Sequence, residues 1–284
     1  MTSGATAYRC IYLENTMDLK RTVLEELSAL NMETQEGRVL PERRRIISII
    51  KLAQVVLFPE FYHYADLSQE DALSELVTAV QSEIRICLAF AQRSTEDADA
   101  LTETFIRRLP TIKQKLLTDI IAIYNGDPAA KTKAEVVLCY PGFYATSIYR
   151  LAHELYQMSV PYMPRIMSEY AHEKTGIDIN PGATIDEYFC IDHGTGIVVG
   201  ETATIGHHVK LYQGVTIGAK SFDLDENGNP LKSGKRHPDI GNYVVIYANA
   251  TILGGETRIG DHSIIGGNTW LLESVAPGSK IYYR

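Results

Sequence analysis

The chain has no long apolar run. Its most apolar stretch, Ile46–Leu57, is broken by Ser48, Lys51 and Gln54. That falls well short of the roughly 20 apolar residues a membrane-spanning helix needs. The first residues, Met1–Cys10, lack the apolar core of a secretory signal. Cysteine is scarce: four residues, at 10, 87, 139 and 190, none in a C-x-x-C pair and none beside a histidine at metal-ligand spacing. A disulfide framework is therefore excluded, and reduced thiols in a reducing, cytoplasmic compartment are expected. Basic charge is also in deficit, with 27 Lys and Arg against 35 Asp and Glu and a net charge of -8. This argues against nucleic acid as a partner, because its recognition needs a net basic face. It leaves room for a local basic pocket that binds an anion. What remains is an ordinary globular composition, 45% hydrophobic and 22% charged over 284 residues, enough for one large domain or two smaller ones.

Glycine is nearly absent from the first part of the chain. Residues 1–175 hold 4 glycines and residues 176–284 hold 17. Glycine weakens helix interiors and eases turns, so the first segment reads as an α-helical domain and the second as one that turns often. Helices are predicted at Met17–Leu30, Arg43–Phe58, Ser68–Ala91, Thr95–Arg107, Thr111–Tyr124, Gly142–Met158 and Met163–Glu173. In the sixth, Tyr144, Ile148, Leu151, Leu155 and Met158 fall on one helical face. Pro110, Pro128, Pro141 and Pro161 lie between these candidates, where helices are expected to end or begin.

In residues 176–284 aliphatic residues recur every six positions. The runs are Ile179, Ile185, Ile191; then Val199, Ile205, Leu211, Ile217; then Ile240, Ile246, Ile252; and finally Ile259, Ile265, Leu271. A six-residue period fits neither a helix nor a simple alternating strand. It marks a parallel β-helix of hexapeptides, with each hexad giving one short strand and one corner, and the aliphatic station pointing inward. Thirteen stations make a little over four coils. The polar excursion at about 219–238 cannot stay in the coil and is expected to project as a loop.

Candidate chemistry lies where the phase breaks, at Asp192-His193-Gly194-Thr195-Gly196. Asp178 precedes His193 by 15 residues, close to one coil. Neighbouring coils stack at about 4.8 Å, so the Asp178 carboxylate is expected to reach the imidazole. A carboxylate that orients a histidine suits a general base working near neutral pH.

These residues carry a resemblance. Asp178-Ile179-Asn180-Pro181-Gly182-Ala183, the run from Asp192 to Ala203, and Gly234-Lys235-Arg236-His237-Pro238 closely resemble the serine O-acetyltransferase family. Asp127-Pro128-Ala129 and Tyr140-Pro141-Gly142-Phe143, with Tyr149, Arg150 and His153, match as well. The resemblance runs from about Asp127 to Pro277, and residues 1–110 share with the family only a helical character. It implies a left-handed β-helix that trimerises, as a trimer or a dimer of trimers, with active sites between subunits. It implies acetyl transfer from acetyl-CoA, as co-substrate rather than a permanently bound cofactor, to the hydroxyl of L-serine, which supplies cysteine biosynthesis. His193 would be the general base and Asp178 its orienting partner. Asp127 and Asp192 would hold the substrate ammonium, and Arg236 and His237 its carboxylate. Gly218, Ala219 and Ala248 would let the pantetheine arm approach the backbone, although simple corner packing explains small residues there equally well. L-cysteine would inhibit from the serine site. Ile264 stands where the family often has a lysine near the adenine phosphate, so another cation is needed there. Asn180 replaces a usual histidine, and the loop Ser221–Lys232 is longer than in well-known bacterial members. The ending Tyr282-Tyr283-Arg284 lacks the terminal isoleucine that docks into O-acetylserine sulfhydrylase, which leaves that complex in doubt.

Other readings compete with this one. Asp223-Leu224-Asp225-Glu226-Asn227-Gly228 mimics half of a calcium loop, but the twelfth position is Gly234, so a hairpin tip is preferred. The histidines at 193, 207, 208, 237 and 262 are potential zinc ligands. His207 and His208 are adjacent, however, and the Asp-His-Gly and Arg-His-Pro contexts fit serine binding better, so no metal site is assigned. Homoserine or an amino sugar as acceptor, a zinc carbonic-anhydrase-like site, and a non-catalytic trimeric scaffold stay open as alternatives.

Overall fold

A computed structural model describes residues 4–30, 39–221, 224–231 and 233–282. Asp223 and Lys232 of the loop, and Tyr283 and Arg284 of the ending, lie outside the described residues. Two compact units divide between Val39 and Leu40. The first contains the helix α1, Gly4–Ala29. The second contains α2 (Arg43–Leu57), α3 (Gln69–Phe90), α4 (Ala98–Gly126), α5 (Lys133–Cys139), α6 (Pro141–Gln157) and α7 (Met163–Thr175), and then the strands. The change of period at 175/176 is thus a change of architecture inside one compact unit. Among the described residues, no helix is long and apolar enough to cross a membrane.

Two of the sequence expectations for the helices fail for identifiable reasons. Pro110 does not separate two helices; it sits inside α4. The buried residues Phe105, Leu109, Ile112, Leu116, Ile120 and Ile123 run at helical spacing straight across it. Burial of that continuous stripe outweighs the roughly 3 kcal/mol that an internal proline costs. The short α5 was not expected. Its signal is the capping pattern Thr132-x-x-Glu135: Thr132 Oγ1 accepts from Glu135 N at 3.0 Å, and Glu135 in turn accepts from Lys131 N at 2.7 Å.

The strands form a triangular parallel coil. They are β1 (Asp178–Ile179), β2 (Thr184–Ile185), β3 (Cys190–Asp192), β4 (Val198–Val199), β5 (Thr204–Ile205), β6 (Lys210–Tyr212) and β7 (Thr216–Gly218). After the excursion come β8 (Asp239–Ile240), β9 (Val245–Ile246), β10 (Thr251–Leu253), β11 (Arg258–Ile259), β12 (Ile264–Ile265), β13 (Trp270–Leu271) and β14 (Lys280–Ile281). Every third strand up to β13 stacks on the same face: β1-β4-β7-β10-β13 form face A, β2-β5-β8-β11 face B, and β3-β6-β9-β12 face C, to which β14 adds after an isolated bridge of Val275 to Ile259 on face B. Twelve of the thirteen aliphatic stations are buried and Leu271 is partly so. Ile281, a further station, packs against the same core.

The helices seat on the first coil through α6. Gly142 is required there, because a Cβ at this position would lie 2.6 Å from the carbonyl oxygen of Ile191. Tyr149 donates its hydroxyl to the Ala183 carbonyl at 2.6 Å and accepts from Ile185 N at 3.1 Å. Beside it, Arg150 and Asp119 form a fully buried bidentate pair, 2.6 and 2.7 Å. Arg150 also donates to the carbonyls of Ile185 (3.2 Å) and Asp186 (2.9 Å), and Asp119 accepts from Phe189 N at 2.9 Å. The pair therefore ties α4 and α6 to the turn between β2 and β3. Removing one partner should leave an uncompensated buried charge. Asp119→Ala is expected to lower the unfolding free energy by about 3–5 kcal/mol, read by urea denaturation, while Asp119→Leu with Arg150→Met should recover much of the loss. An Asp119→Ala chain as stable as the parent would refute this role.

Candidate active site

Face A has a cluster of candidate residues at each of its two edges. The edge between faces C and A carries the acidic cluster with histidine. Pro128 disfavours helical geometry at Asp127 and so ends α4 there. The Asp127 carboxylate accepts from Tyr140 Oη at 2.6 Å and from Ala129 N at 2.8 Å. Those bonds, with the nearby charges of Lys210 and His193, hold its carboxyl below the usual carboxylate range. Asp192, at the end of β3, is buried and pairs with Lys210 Nζ at 3.0 Å. His193 Nε2 is 3.9 Å from Asp192 Oδ1, and the ring is largely exposed. Lys210 also donates to the Gly126 carbonyl at 2.7 Å and lies over the Tyr212 ring. The sequence named Tyr140 only as part of a matching run, without a role, and no motif marked Lys210, whose place follows from the register Cys190↔Lys210.

His193 projects because the coil is longer there. Asp178 pairs with Val198, a coil of 20 residues, whereas Val199 pairs with Ile217, a coil of 18. The residue stacked on Asp178 is therefore Val198, five positions past His193, and the expected reach of the Asp178 carboxylate to the imidazole is not met. The extra residues bulge at the corner, with His193, Gly194 and Gly196 all at positive φ (58°, 93° and 82°). Asp178 and His193 share no hydrogen bond within the described chain. The Asp178 carboxylate turns toward α7, where it, Glu169 and His172 each place a ligand-type atom within 4.8 Å of the others.

The opposite edge, between faces A and B, carries the anion-binding candidates. His237 is buried over Gly200, where any Cβ would come within 2.0 Å of the ring. Thr202 organises it: Thr202 Oγ1 accepts from Arg236 N (3.0 Å) and His237 N (3.1 Å) and lies 2.8 Å from His237 Nδ1. Thr202 N donates to the same Nδ1 at 3.1 Å. With Nδ1 an acceptor, the neutral ring carries its proton on Nε2, where it can serve as a donor. Burial, reinforced by Arg236, pushes His237 down to about 4. Arg236 pairs with Glu201, which also accepts from Tyr156 Oη at 2.8 Å. Burial opposes ionisation of Glu201, yet Tyr156 and Arg236 together hold its carboxyl below the ordinary value. Arg236, Tyr156, Glu201, Arg165 and Leu231 line an open cleft of about 1130 Å³.

The proposed acetyl-CoA positions flank the same face. Gly218 ends β7 and Ala219 opens the excursion, while Ala248 sits at the C/A corner, where its carbonyl accepts from Asn268 N at 2.9 Å. Ile264 pairs in register with Lys280, so a cation stands one coil away from the position where sequence reasoning found it missing. The excursion ends in a hairpin: Leu224 bridges Pro230, and Asp225 accepts from the backbone of Asn227 (2.9 Å) and Asn229 (2.8 Å). Those bonds engage the Asp225 carboxylate with its own turn, as a hairpin tip requires. Within one chain the two edges stay apart: β4 and its flanking turns separate them by about 15 Å at roughly 3.3 Å per residue.

A coil of six-residue repeats that gathers an imidazole and carboxylates at its corner defines a hexapeptide-repeat acyltransferase. Residues 58–147 match the family described as serine acetyltransferase, N-terminal, so the kinship reaches well upstream of Asp127, into helices that sequence reasoning had left unmatched. A relative from Synechococcus elongatus, "Serine acetyltransferase, plasmid", is 44% identical over 260 residues, covering 85% of this chain and 81% of its own. The solved serine acetyltransferase 1 of Entamoeba histolytica, in complex with L-cysteine, is 37% identical with a TM-score of 0.75, over 83% of this chain and 86% of that one. A serine acetyltransferase in complex with CoA aligns at 25% identity and a TM-score of 0.57, over 85% and 97%. The chain belongs to the serine acetyltransferase family.

The neutral state of His237 makes stability depend on pH. Its ring binds a proton less readily folded, at about 4, than unfolded, near 6.5. The unfolded chain therefore takes up more protons as pH falls through that window, so this contribution is present above about 6.5 and is lost progressively toward 4. Chemical denaturation across pH 7 to 4 should show this loss in the parent and a shallower one in His237→Asn. Equal slopes would contradict the assignment.

Proposed function

We propose that the protein transfers acetyl from acetyl-CoA to the hydroxyl of L-serine. The observation that carries this reading is the division of charge around face A: Asp127, Asp192 and His193 at one edge, Arg236 and a neutral His237 at the other. A zwitterionic amino acid needs carboxylates at its ammonium end and a guanidinium at its carboxylate end. No single chain brings the two edges together, but a ring of copies does. A head-to-tail cyclic contact joins two different patches of neighbouring subunits and closes after a whole number of copies. Three copies suit a triangular coil, and the outward row of face A, which includes exposed Val198 and Trp270, is the surface such a contact would cover. We therefore assign a homotrimer with one site per interface.

In that site the ammonium of serine sits between Asp127 and Asp192, with Lys210 keeping Asp192 in place. Arg236 and the Nε2–H of His237 take the carboxylate. His193 removes the hydroxyl proton as the serine oxygen attacks the thioester carbonyl. The C–O bond forms, the C–S bond breaks, and the imidazolium returns its proton to the departing CoA thiolate. Asp178 acts as positioning residue for His193 by leaving its place beside α7 when substrate binds. The CoA arm runs past Gly218, Ala219 and Ala248, with Lys280 serving its phosphates in place of the absent lysine at Ile264. L-cysteine, which differs from serine in a single atom, competes for the same groups.

Thiol release from acetyl-CoA tests the reading. Release should depend on L-serine over homoserine and amino sugars, and should fall by about 10²–10⁴-fold in His193→Ala with the trimer intact. Serine-independent release, or release only with another acceptor, would overturn the substrate assignment. Lys280→Ala is expected to raise KM for acetyl-CoA by up to about fivefold with kcat unchanged; an unchanged KM would remove Lys280 from the phosphate site.

A further inference from the structure

The helical region holds an open pocket, part apolar and part polar, that the acetyl-transfer reading leaves unused. It lies between α2 and α3, has a volume of about 560 Å³, and is lined by Arg45, Ser48, Tyr64, Ser74, Thr78 and Glu83, among others. Glu83 is unusual in this setting. Its side chain is only 2% exposed, its ion-pair partner is the half-exposed Arg45, with Nη1 3.3 Å from Oε1, and neither carboxylate oxygen has a hydrogen bond of good geometry. A buried carboxylate left in this state is costly, and burial holds its carboxyl above the ordinary range.

The rest of the lining shows what would satisfy it. The hydroxyl protons of Ser48, Ser74 and Thr78 are donated to the backbone carbonyls of Arg44, Glu70 and Ser74, at 3.1, 3.0 and 3.1 Å. With their protons so engaged, these hydroxyls have only acceptor lone pairs left to offer a ligand. Ser48 Oγ accepts from Tyr64 Oη at 3.2 Å. Glu75 adds a second carboxylate, and the lining's single cationic side chain, Arg45, is half exposed at the pair's outer side. Lys51, whose Nζ lies 5.4 Å from the centre of the Tyr64 ring, already places one alkylammonium against that tyrosine. Such a lining offers acceptors and negative charge but few donors. It rejects phosphates and carboxylates and suits a ligand that is all donor at one end. A primary ammonium, with three N–H donors on a compact charge, meets that requirement. The volume is that of a small-molecule site rather than of a bare ion.

We propose that this cavity binds an organic primary amine, with its ammonium on Glu83 and its chain along Leu52 and Ala79. The site is separate from face A and does not depend on the acetyl-transfer reading.

Titration calorimetry on the full-length protein, with 1,4-diaminobutane and n-butylamine as probes and ammonium chloride and potassium chloride as controls, tests it. Saturable binding of the two amines is expected, weakened about tenfold or more in Glu83→Gln, which keeps the shape and removes the charge. Thr78→Phe, at an exposed position on the cavity wall, should block the amines by filling the space. It serves as the decisive variant if Glu83→Gln does not fold. No saturable binding of either amine, binding that neither variant alters, or equal binding of potassium ion and the amines would each overturn the proposal.

Discussion

The buried pair of Arg150 and Asp119 is the joint on which the molecule turns. A β-helix leaves its first coil with unpaired backbone groups and an open apolar end. Here Arg150 satisfies two of the carbonyls at the β2–β3 turn, Asp119 satisfies the amide of Phe189, and Tyr149 bridges Ala183 and Ile185. Each charge is neutralised by the other, and their remaining hydrogen-bond partners are backbone groups. That geometry holds α4 and α6 at fixed depth, and α4 ends at Asp127. The position of the Asp127 carboxylate is thus determined by an ion pair on the same two helices, and Gly142 sets how closely α6 approaches β3.

Much of the coil could be read from the residues because its signal is local and repetitive. A six-residue period survives whatever the rest of the chain does, and the stations from Ile179 to Ile265 are buried as that period requires. The helices were less legible. Pro110 reads as a stop in isolation, and only the stripe from Phe105 to Ile123 shows why the helix continues. In the site, the Asp-His-Gly-Thr-Gly block stood out at a break in the six-residue phase, and the Arg-His-Pro step only through its resemblance to the family. Lys210 did not, since its role comes from lying one coil above Cys190 and next to Asp192. The two-residue excess at His193 was visible as a phase break, but its effect on Asp178, which packs toward Glu169 and His172, depends on the fold around α7.

The two edges of face A are built by different physics. The Asp127 edge is an arrangement of charges held by Tyr140 and Lys210. The His237 edge is a packed one: a ring over a glycine, fixed by a threonine that accepts two backbone amides and turns its own hydroxyl toward Nδ1. Glu201 and Tyr156 then restrain Arg236 from the side. Charge sets the first edge and tautomer the second.

Burial along the coil is graded. Stations near the helices are fully enclosed, whereas Leu271 and Ile281 are only partly covered. In a stack whose units touch only their neighbours, loosening starts at the less covered end and travels inward. His193 and Asp192 lie in the coil against the helices, while Ala248 and Lys280 lie toward the other end. Mild heat or denaturant would therefore fray the molecule from one end, and the corner at Ala248 and Lys280 would loosen before the bulge at His193 lost its shape.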